Sequence, residues 1–444
     1  MPTVPSQSDL SASRATVTYR RATGISWRPF ETRLADLVST ETCFALFLVS
    51  GRIKGLPELR GSPVDLTLLF LVISWGRILW EIMSGRLRPL RLTLPVVLMI
   101  LFCEFAVASL FWSSLIALNL DKAGRFLVLT ASSFFAACML AQDPVRRKRL
   151  LIAITWLSCA IVLYYLHYRY VLGIDIMAPE YSWIDRETEG GNNYLEYGEH
   201  ASILFTVLLA LAVFGSWRRT WLAAAGASVA LFVLLSLGSR GPLAAAAAAV
   251  PALGVVLIAR RGTQKFNSWR HLVGFGAIMI GIGFGGYALT SSEHDNGLGQ
   301  LHTIERYQLE LSGENTQSLD WRSQGRSLAF RQWLNKPLAG WGIGEFRVQD
   351  SFLMYPHNTF LEILMEMGLI GVCLFIGIAG SGLITCWNIV RQPYTEWADI
   401  AIILLFVTSL CWEMTFAGYL ADDRIFFSYL GMVIGSGVSL DRHG

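Results

Sequence analysis

The sequence is poor in charged residues. Of its 444 residues only 16% are charged, whereas 53% are hydrophobic, and the mean hydropathy is +0.47. Soluble domains usually carry about 25% charged residues, so this composition excludes a set of ordinary soluble domains. Its long apolar runs approach the roughly 20 residues that cross about 30 Å of hydrocarbon. The sequence therefore predicts an all-α fold, a polytopic bundle of membrane-spanning helices.

Loop cysteines and metal-binding motifs are also missing. All seven cysteines fall within apolar runs, and no HExxH pattern or His/Cys cluster occurs. We therefore predict no disulfide, no cofactor and no required metal ion, although acidic residues in the outer loops leave oxygen ligation open. Residues 1–33 lack the apolar core of a signal peptide and are interpreted as a disordered basic cytoplasmic arm.

The apolar runs predict about twelve transmembrane helices. They lie at about 34–50, 64–83, 92–111, 123–141, 150–172, 199–216, 220–238, 241–259, 271–290, 367–387, 398–417 and 424–439. Nine helices thus fall in residues 34–290 and three in residues 367–439. Residues 291–366 form a large periplasmic loop that contains helices, and residues 440–444 form a cytoplasmic tail.

The distribution of charge predicts the orientation. Arginine and lysine collect in the N-terminal arm and in alternate loops, around positions 86–91, 146–149, 218–219, 260–270 and 391, whereas residues 179–199 carry six acidic residues and one arginine. Because cytoplasmic loops are enriched in Lys and Arg, both termini are predicted to be cytoplasmic. One loop disagrees, since Arg52, Lys54 and Arg60 fall on the outer side. If the first span does not cross, eleven spans remain.

The long loop holds a pair of candidate anion ligands. Arg322 and Arg326 are four residues apart on a helix that the apolar spacing predicts from position 321 to 334, so they share a face. Two guanidinium groups on one face suit bidentate binding of phosphate oxygens. A basic edge facing water or lipid headgroups explains such a pair equally well.

Two further residues stand where an outer-face site would lie. Arg240 occupies a shaped turn, SLGSRGP, between two apolar runs, and His357 precedes a predicted helix. A histidine near a helix N-terminus is suited to proton transfer beside an anion. The alternatives are an arginine that reaches the membrane surface and a histidine that caps backbone groups.

These residues fall into three motifs that resemble the O-antigen ligase and O-antigen polymerase superfamily of bacterial glycosyltransferases. The first is SRG, residues 239–241. The second places Arg322 fifteen residues before P-x-x-G-x-G-x-G, which starts at Pro337. The third is HN-x-x-L-E-x-x-x-E-x-G-x-x-G, which starts at His357. Their occurrence in this order carries the resemblance, although Arg326 stands where the family often has an aromatic residue.

The resemblance implies a metal-independent, inverting glycosyltransferase of the bacterial inner membrane. The expected donor is a glycan linked to undecaprenyl diphosphate, and the reaction takes place on the periplasmic face. Arg240, Arg322 and Arg326 are then diphosphate ligands and His357 is the catalytic base. The expected partners are the donor, a lipid A–core or glycan acceptor and the bilayer, with no nucleic acid.

Three functions follow from these motifs. The first is ligation of an O-antigen-like glycan to lipid A–core. The second is polymerisation of O-antigen or exopolysaccharide, with a second lipid-linked repeat unit as acceptor. The third is transport of a lipid-linked glycan, which predicts charged residues deep in the spans, whereas here the basic residues gather at the outer surface.

Overall fold

The computed structural model describes residues 39–54, 62–173, 194–260, 303, 312, 317–349, 355–415 and 419–440. These residues form helices and connections and contain no strand. The first nine helices are α1 Thr40–Lys54, α2 Leu66–Met83, α3 Leu94–Ala108, α4 Ala117–Arg125, α5 Ser132–Ala141, α6 Pro144–Leu166, α7 Tyr194–Phe214, α8 Trp217–Ser236 and α9 Arg240–Ala259. The remaining helices are α10 Gln317–Asn335, α11 Glu345–Gln349, α12 Thr359–Arg391, α13 Trp397–Thr415 and α14 Arg424–Leu440.

Within the described residues, nine helical segments are long and apolar enough to cross a membrane, and two shorter apolar helices cover Thr40–Gly51 and Arg424–Val438. They coincide with eleven of the predicted spans, so the polytopic helical fold is confirmed. The remaining span, 271–290, lies outside the described residues, as do the arm 1–33, residues 441–444 and parts of the long loop. The domain boundaries stay predictions. Because α1 has only 15 residues and a length of about 22 Å, its crossing stays a prediction too.

Small residues let two helices approach closely at the centre of the bundle. Gly431 and Gly435 are four residues apart on α14 and face α5. A Cβ atom on either glycine would lie within 2.4 Å of the carbonyl oxygen of Phe134 or Cys138. This spacing of small residues is typical of helix pairs in membranes, and it joins the last helix to the middle of the bundle.

The helix pair α4 and α5 is continuous but irregular. A π-helical segment, Phe126–Ala131, joins them, so the chain from Ala117 to Ala141 forms one membrane-length unit. π-Helical insertions change the register of a helix and occur frequently at functional sites. Here the insertion directly follows the turn that carries Lys122 and Arg125.

Candidate active site

The second and third motifs interlock through their main chains. The α12 backbone leaves helical geometry at Gly368, where φ is +63°. In a regular helix the carbonyls of residues 365 and 366 accept from the amides of residues 369 and 370. In this chain all four groups bond to the glycine-rich loop instead. The hydrogen bonds are Trp341 N to Met365 O at 3.0 Å, Gly342 N to Glu366 O at 2.8 Å, Leu369 N to Pro337 O at 2.9 Å and Ile370 N to Leu338 O at 3.2 Å.

Two glycines are required by this exchange of hydrogen bonds. A Cβ atom on Gly340 would lie 2.4 Å from the main chain of Glu366, and one on Gly368 would lie 2.3 Å from the carbonyl oxygen of Leu338. Both residues also have positive φ angles, which side chains other than glycine adopt at a cost. The glycines of the two motifs therefore serve a contact between backbones.

The turn after α3 fixes the same loop from another side. The Ser109 hydroxyl accepts a hydrogen bond from the Ile343 amide at 2.9 Å, and the Asn119 side chain donates to the Ile343 carbonyl at 2.8 Å. The Glu345 carboxylate accepts from the amide and the hydroxyl of Ser114, each at 2.6 Å. The glycine-rich loop is thus held between α3, α4 and α12.

Lys122 joins α4 to both glutamates of the third motif. Its ammonium donates to Glu362, and it lies 2.8 Å from both carboxylate oxygens of Glu366. All three side chains are buried. The remaining oxygen of Glu362 accepts from the amide of Leu420 at 3.1 Å. One lysine therefore connects three separate parts of the chain below the site.

Aromatic side chains connect this buried cluster to His357. The Lys122 ammonium lies 5.3 Å from the ring centroid of Tyr419. The Tyr419 ring is 5.4 Å from that of Tyr355, whose own ring is 4.3 Å from the His357 ring. Burial raises the pKa of the Tyr419 phenol, so Tyr419 is uncharged at neutral pH. The row of contacts ends at the predicted base.

His357 has a strained backbone and a capped neighbour. Its φ of +54° lies in the left-handed region, which few residues other than glycine adopt. The side chain of Asn358 accepts from the Leu361 amide at 2.9 Å and caps α12, and it donates to the carbonyl of Met414. The histidine is therefore held at the start of α12 by contacts on both sides.

Arg322 and Arg326 lie close enough to His357 to change its titration. Burial and, to a smaller extent, the positive charges of Arg322 and Arg326 together lower the pKa of His357 to about 4. Burial and the charge of Arg322 also lower the pKa of Arg326, whose guanidinium donates to the carbonyl of Thr415. The structure thus brings three of the four predicted site residues together, and the histidine is neutral at neutral pH.

Arg240 is the first residue of α9 and follows the N-cap residue Ser239. The end of α8, which leads into this turn, is supported from within by Arg169. That buried guanidinium donates to the Ser236 carbonyl and to the Tyr165 hydroxyl, both at 2.9 Å. Arg240 thus lies at the end of the turn between α8 and α9. Its convergence on the same anion stays a prediction.

A small cavity near the Arg240 turn is lined by residues of α7, α9, α13 and α14. Its lining includes Pro242 from α9, Glu413 from α13, and Asp423. Glu413 accepts a hydrogen bond from the Thr359 hydroxyl at 2.9 Å, two residues after His357. Burial raises the pKa of the Asp423 carboxyl, and the neighbouring Glu413 raises it further. Pro242, two residues after Arg240, therefore lines the same cavity as Glu413, the carboxylate that Thr359 contacts.

The sequence analysis does not identify Lys122 or Tyr419 as residues of the site. The predicted span began at residue 123, which leaves Lys122 in a loop, whereas α4 begins at Ala117. A lysine at the margin of an apolar run ordinarily reaches the membrane surface. The sequence does contain one signal of a buried partner. Glu362 and Glu366 lie one helical turn apart in the third motif, and no cation lies close to them in the sequence.

The described residues offer anion ligands and a proton acceptor but no metal centre. Among them, no group of three His, Cys, Asp or Glu side chains is placed to hold a metal ion. Two guanidinium groups beside a neutral imidazole can bind a diphosphate and accept a proton from a hydroxyl. These are the requirements of a transfer reaction with an anionic leaving group.

The comparison with known families agrees with this geometry. The O-antigen ligase family matches residues 198–376, a range that contains Arg240, Arg322, Arg326 and His357. No curated protein matches the chain. Lys122 and Tyr419 lie outside the matched range, although the structure brings both to its motifs. The chain is thus a polytopic helical membrane protein, and its residues 198–376 are similar to the O-antigen ligase family.

Proposed function

We propose that this protein is an inverting glycosyltransferase that moves a glycan from undecaprenyl diphosphate to a hydroxyl of lipid A–core. The observation that carries the proposal is the placement of Arg322 and Arg326 beside a neutral His357. The family match supports the class of enzyme. The donor, the acceptor and the stereochemistry are parts of the proposal.

The proposed reaction needs no metal ion. The acceptor oxygen attacks the anomeric carbon of the glycan while the bond from that carbon to the diphosphate oxygen breaks. The electron pair leaves on the diphosphate, whose growing negative charge Arg240, Arg322 and Arg326 stabilise. His357 accepts the proton of the hydroxyl. Attack opposite the leaving group inverts the anomeric configuration.

The proposed location is the periplasmic face of the bacterial inner membrane. The last turn of α12 carries Arg391, and the basic loops on that side indicate the cytoplasm. His357 and the arginine pair lie at the opposite end of α12. Both termini are then cytoplasmic, and a lipid-linked donor reaches the site after it has crossed the membrane.

The test is transfer by the purified protein in detergent, with a defined undecaprenyl-diphosphate glycan and two acceptors, lipid A–core and a second lipid-linked repeat. Product on lipid A–core supports ligation, elongated lipid-linked product supports the polymerase alternative, and no transfer with either acceptor contradicts the enzyme. Equal rates with and without a chelator are expected. His357→Ala is expected to abolish transfer, whereas His167→Ala, which alters an exposed histidine, serves as the matched control.

A further inference from the structure

One face of α10 joins the arginine pair to an exposed apolar surface. Starting at Arg322, every fourth residue of α10 is Arg326, Phe330 and Leu334, and Leu338 follows in the turn after the helix ends at Asn335. Side chains at this spacing form one continuous row on a helix surface. Its three apolar members are 46%, 57% and 66% exposed in that order. The row therefore has a cationic head and an apolar tail.

A different face of α10, next to the arginines, is already used for packing. Ala329 is buried against Phe346 of α11 and Met365 of α12, which fixes the rotation of the helix. The apolar tail of the row consequently faces away from the protein. Isolated exposed apolar residues are common on proteins, but a row that begins at two cations suits an amphipathic ligand with an anionic end.

The tail of the row lies at the edge of the hydrocarbon layer. Ile370 precedes Arg391 by 21 residues on α12, a distance of about 31 Å along the helix, which equals the thickness of the hydrocarbon core. The Ile370 amide bonds to the carbonyl of Leu338, so Leu338 lies at that depth. Leu369 and Ile370 are themselves exposed and continue the apolar surface into the span.

The side chains around this point are those of a membrane interface. The Lys336 ammonium lies 4.0 Å from the ring centroid of Trp341, and the Trp333 indole donates to the Pro337 carbonyl at 3.0 Å. Tryptophan and lysine are typical of the boundary between headgroups and hydrocarbon. The two arginines of the row lie further along α10, with Arg326 about 12 Å from Leu334.

We propose that the row formed by Arg322, Arg326, Phe330, Leu334 and Leu338 is the track of the lipid carrier. Its diphosphate binds the two arginines, and its polyprenyl chain lies over the three apolar side chains and enters the bilayer beside Leu369 and Ile370. This inference rests on the proposed function and adds the direction from which the donor arrives. It also explains why a helix with exposed leucines leads to the site.

The test compares two donors that carry the same glycan diphosphate, one on the full-length polyprenyl chain and one on a short, water-soluble prenyl chain. The double substitution Leu334→Ser with Leu338→Ser is expected to raise KM for the long-chain donor about tenfold, because apolar contact is lost. KM for the short-chain donor and kcat for both donors stay unchanged. Leu68→Ser is the matched control, since Leu68 is 58% exposed on α2.

KM values that stay unchanged with both donors in the double variant overturn the track, and so do KM values that change by the same factor with both donors. Wild-type protein that transfers neither donor contradicts the proposed function instead. A donor with a photoreactive group in its prenyl chain gives a second measurement. We expect it to label residues 330–338, and labelling of α2 in their place contradicts the inference.

Discussion

The amide nitrogen of Gly342 lies 2.8 Å from the carbonyl oxygen of Glu366. This bond and its three companions replace the regular helical bonds that α12 loses at Gly368. Because buried amides and carbonyls must be paired, the glycine-rich loop and the helix break each satisfy the other. The loop follows α10, which carries the two arginines, and the segment of α12 before the break follows His357. The exchange therefore fixes the arginines relative to the histidine.

Gly368→Ala is expected to destabilise the protein by about 3 kcal/mol, because the added Cβ meets the carbonyl oxygen of Leu338 and the residue has a positive φ. Gly380→Ala on the same helix is the matched control, since a Cβ there meets nothing within 4 Å. Thermal unfolding in detergent measures both variants. Equal melting temperatures for the two variants would contradict the interlocking of the motifs.

The helices were predictable because long apolar runs report membrane spans directly. The helix that the apolar spacing predicts from residue 321 to 334 is present as α10, which begins four residues earlier, at Gln317, and ends at Asn335. The exchange of hydrogen bonds at Gly368 could not be predicted, since spacing along a sequence does not state which backbone groups pair across a gap. Glycines in a motif indicate a close approach to the backbone, but their spacing does not distinguish another backbone from a ligand as the partner.

The site was predictable only in part, for a similar reason. Arg322, Arg326 and His357 could be chosen because their types match the chemistry of a diphosphate and a hydroxyl. Lys122 could not, because its partners Glu362 and Glu366 are more than 200 residues away. A buried cation is recognised from the carboxylates around it, and those become neighbours only through the packing of α4 against α12.

Lys122→Met is expected to lower the free energy of unfolding by about 3–5 kcal/mol, since it leaves two buried carboxylates without their cation. Lys148→Met is the matched control. Lys148 pairs with Glu396 at 2.7 Å, but both side chains are substantially exposed, so the loss is at most about 1 kcal/mol. Chemical or thermal unfolding measures the difference. If both substitutions cost the same, Lys122 does not hold α4 to α12.

The charge of Arg326 is expected to set the acidic limit of activity. In the free enzyme His357 accepts a proton only near pH 4, so kcat/KM falls only as the pH approaches 4. Arg326→Gln removes one of the charges that lower this pKa, and the acidic limb then moves to higher pH, towards the ordinary value for histidine. A profile of kcat/KM against pH measures the shift. Arg331→Gln, on the same helix, is the control.

A bound donor is expected to move the same limb. The negative charge of the diphosphate offsets the two arginines, so the pKa of His357 rises in the complex and the imidazole becomes a stronger base where it is needed. The acidic limb of kcat, which reports the donor complex, then lies at higher pH than that of kcat/KM. If the acidic limbs of the two profiles coincide, the bound diphosphate does not offset the charges of the arginines. That result would contradict their role as diphosphate ligands.

The strained backbone of His357 predicts a conflict between stability and activity. A φ of +54° costs about 1 kcal/mol for a side chain and little for glycine. His357→Gly is therefore expected to leave the melting temperature unchanged or raise it, while transfer falls by at least about a hundredfold, because general base catalysis is lost. His357→Asn separates the two effects, since asparagine tolerates the left-handed region but supplies no base. We expect wild-type stability without transfer for the asparagine variant. Retained transfer in either variant would show that the imidazole is not the base. The positive φ of residue 357 would then only allow the chain to turn into α12.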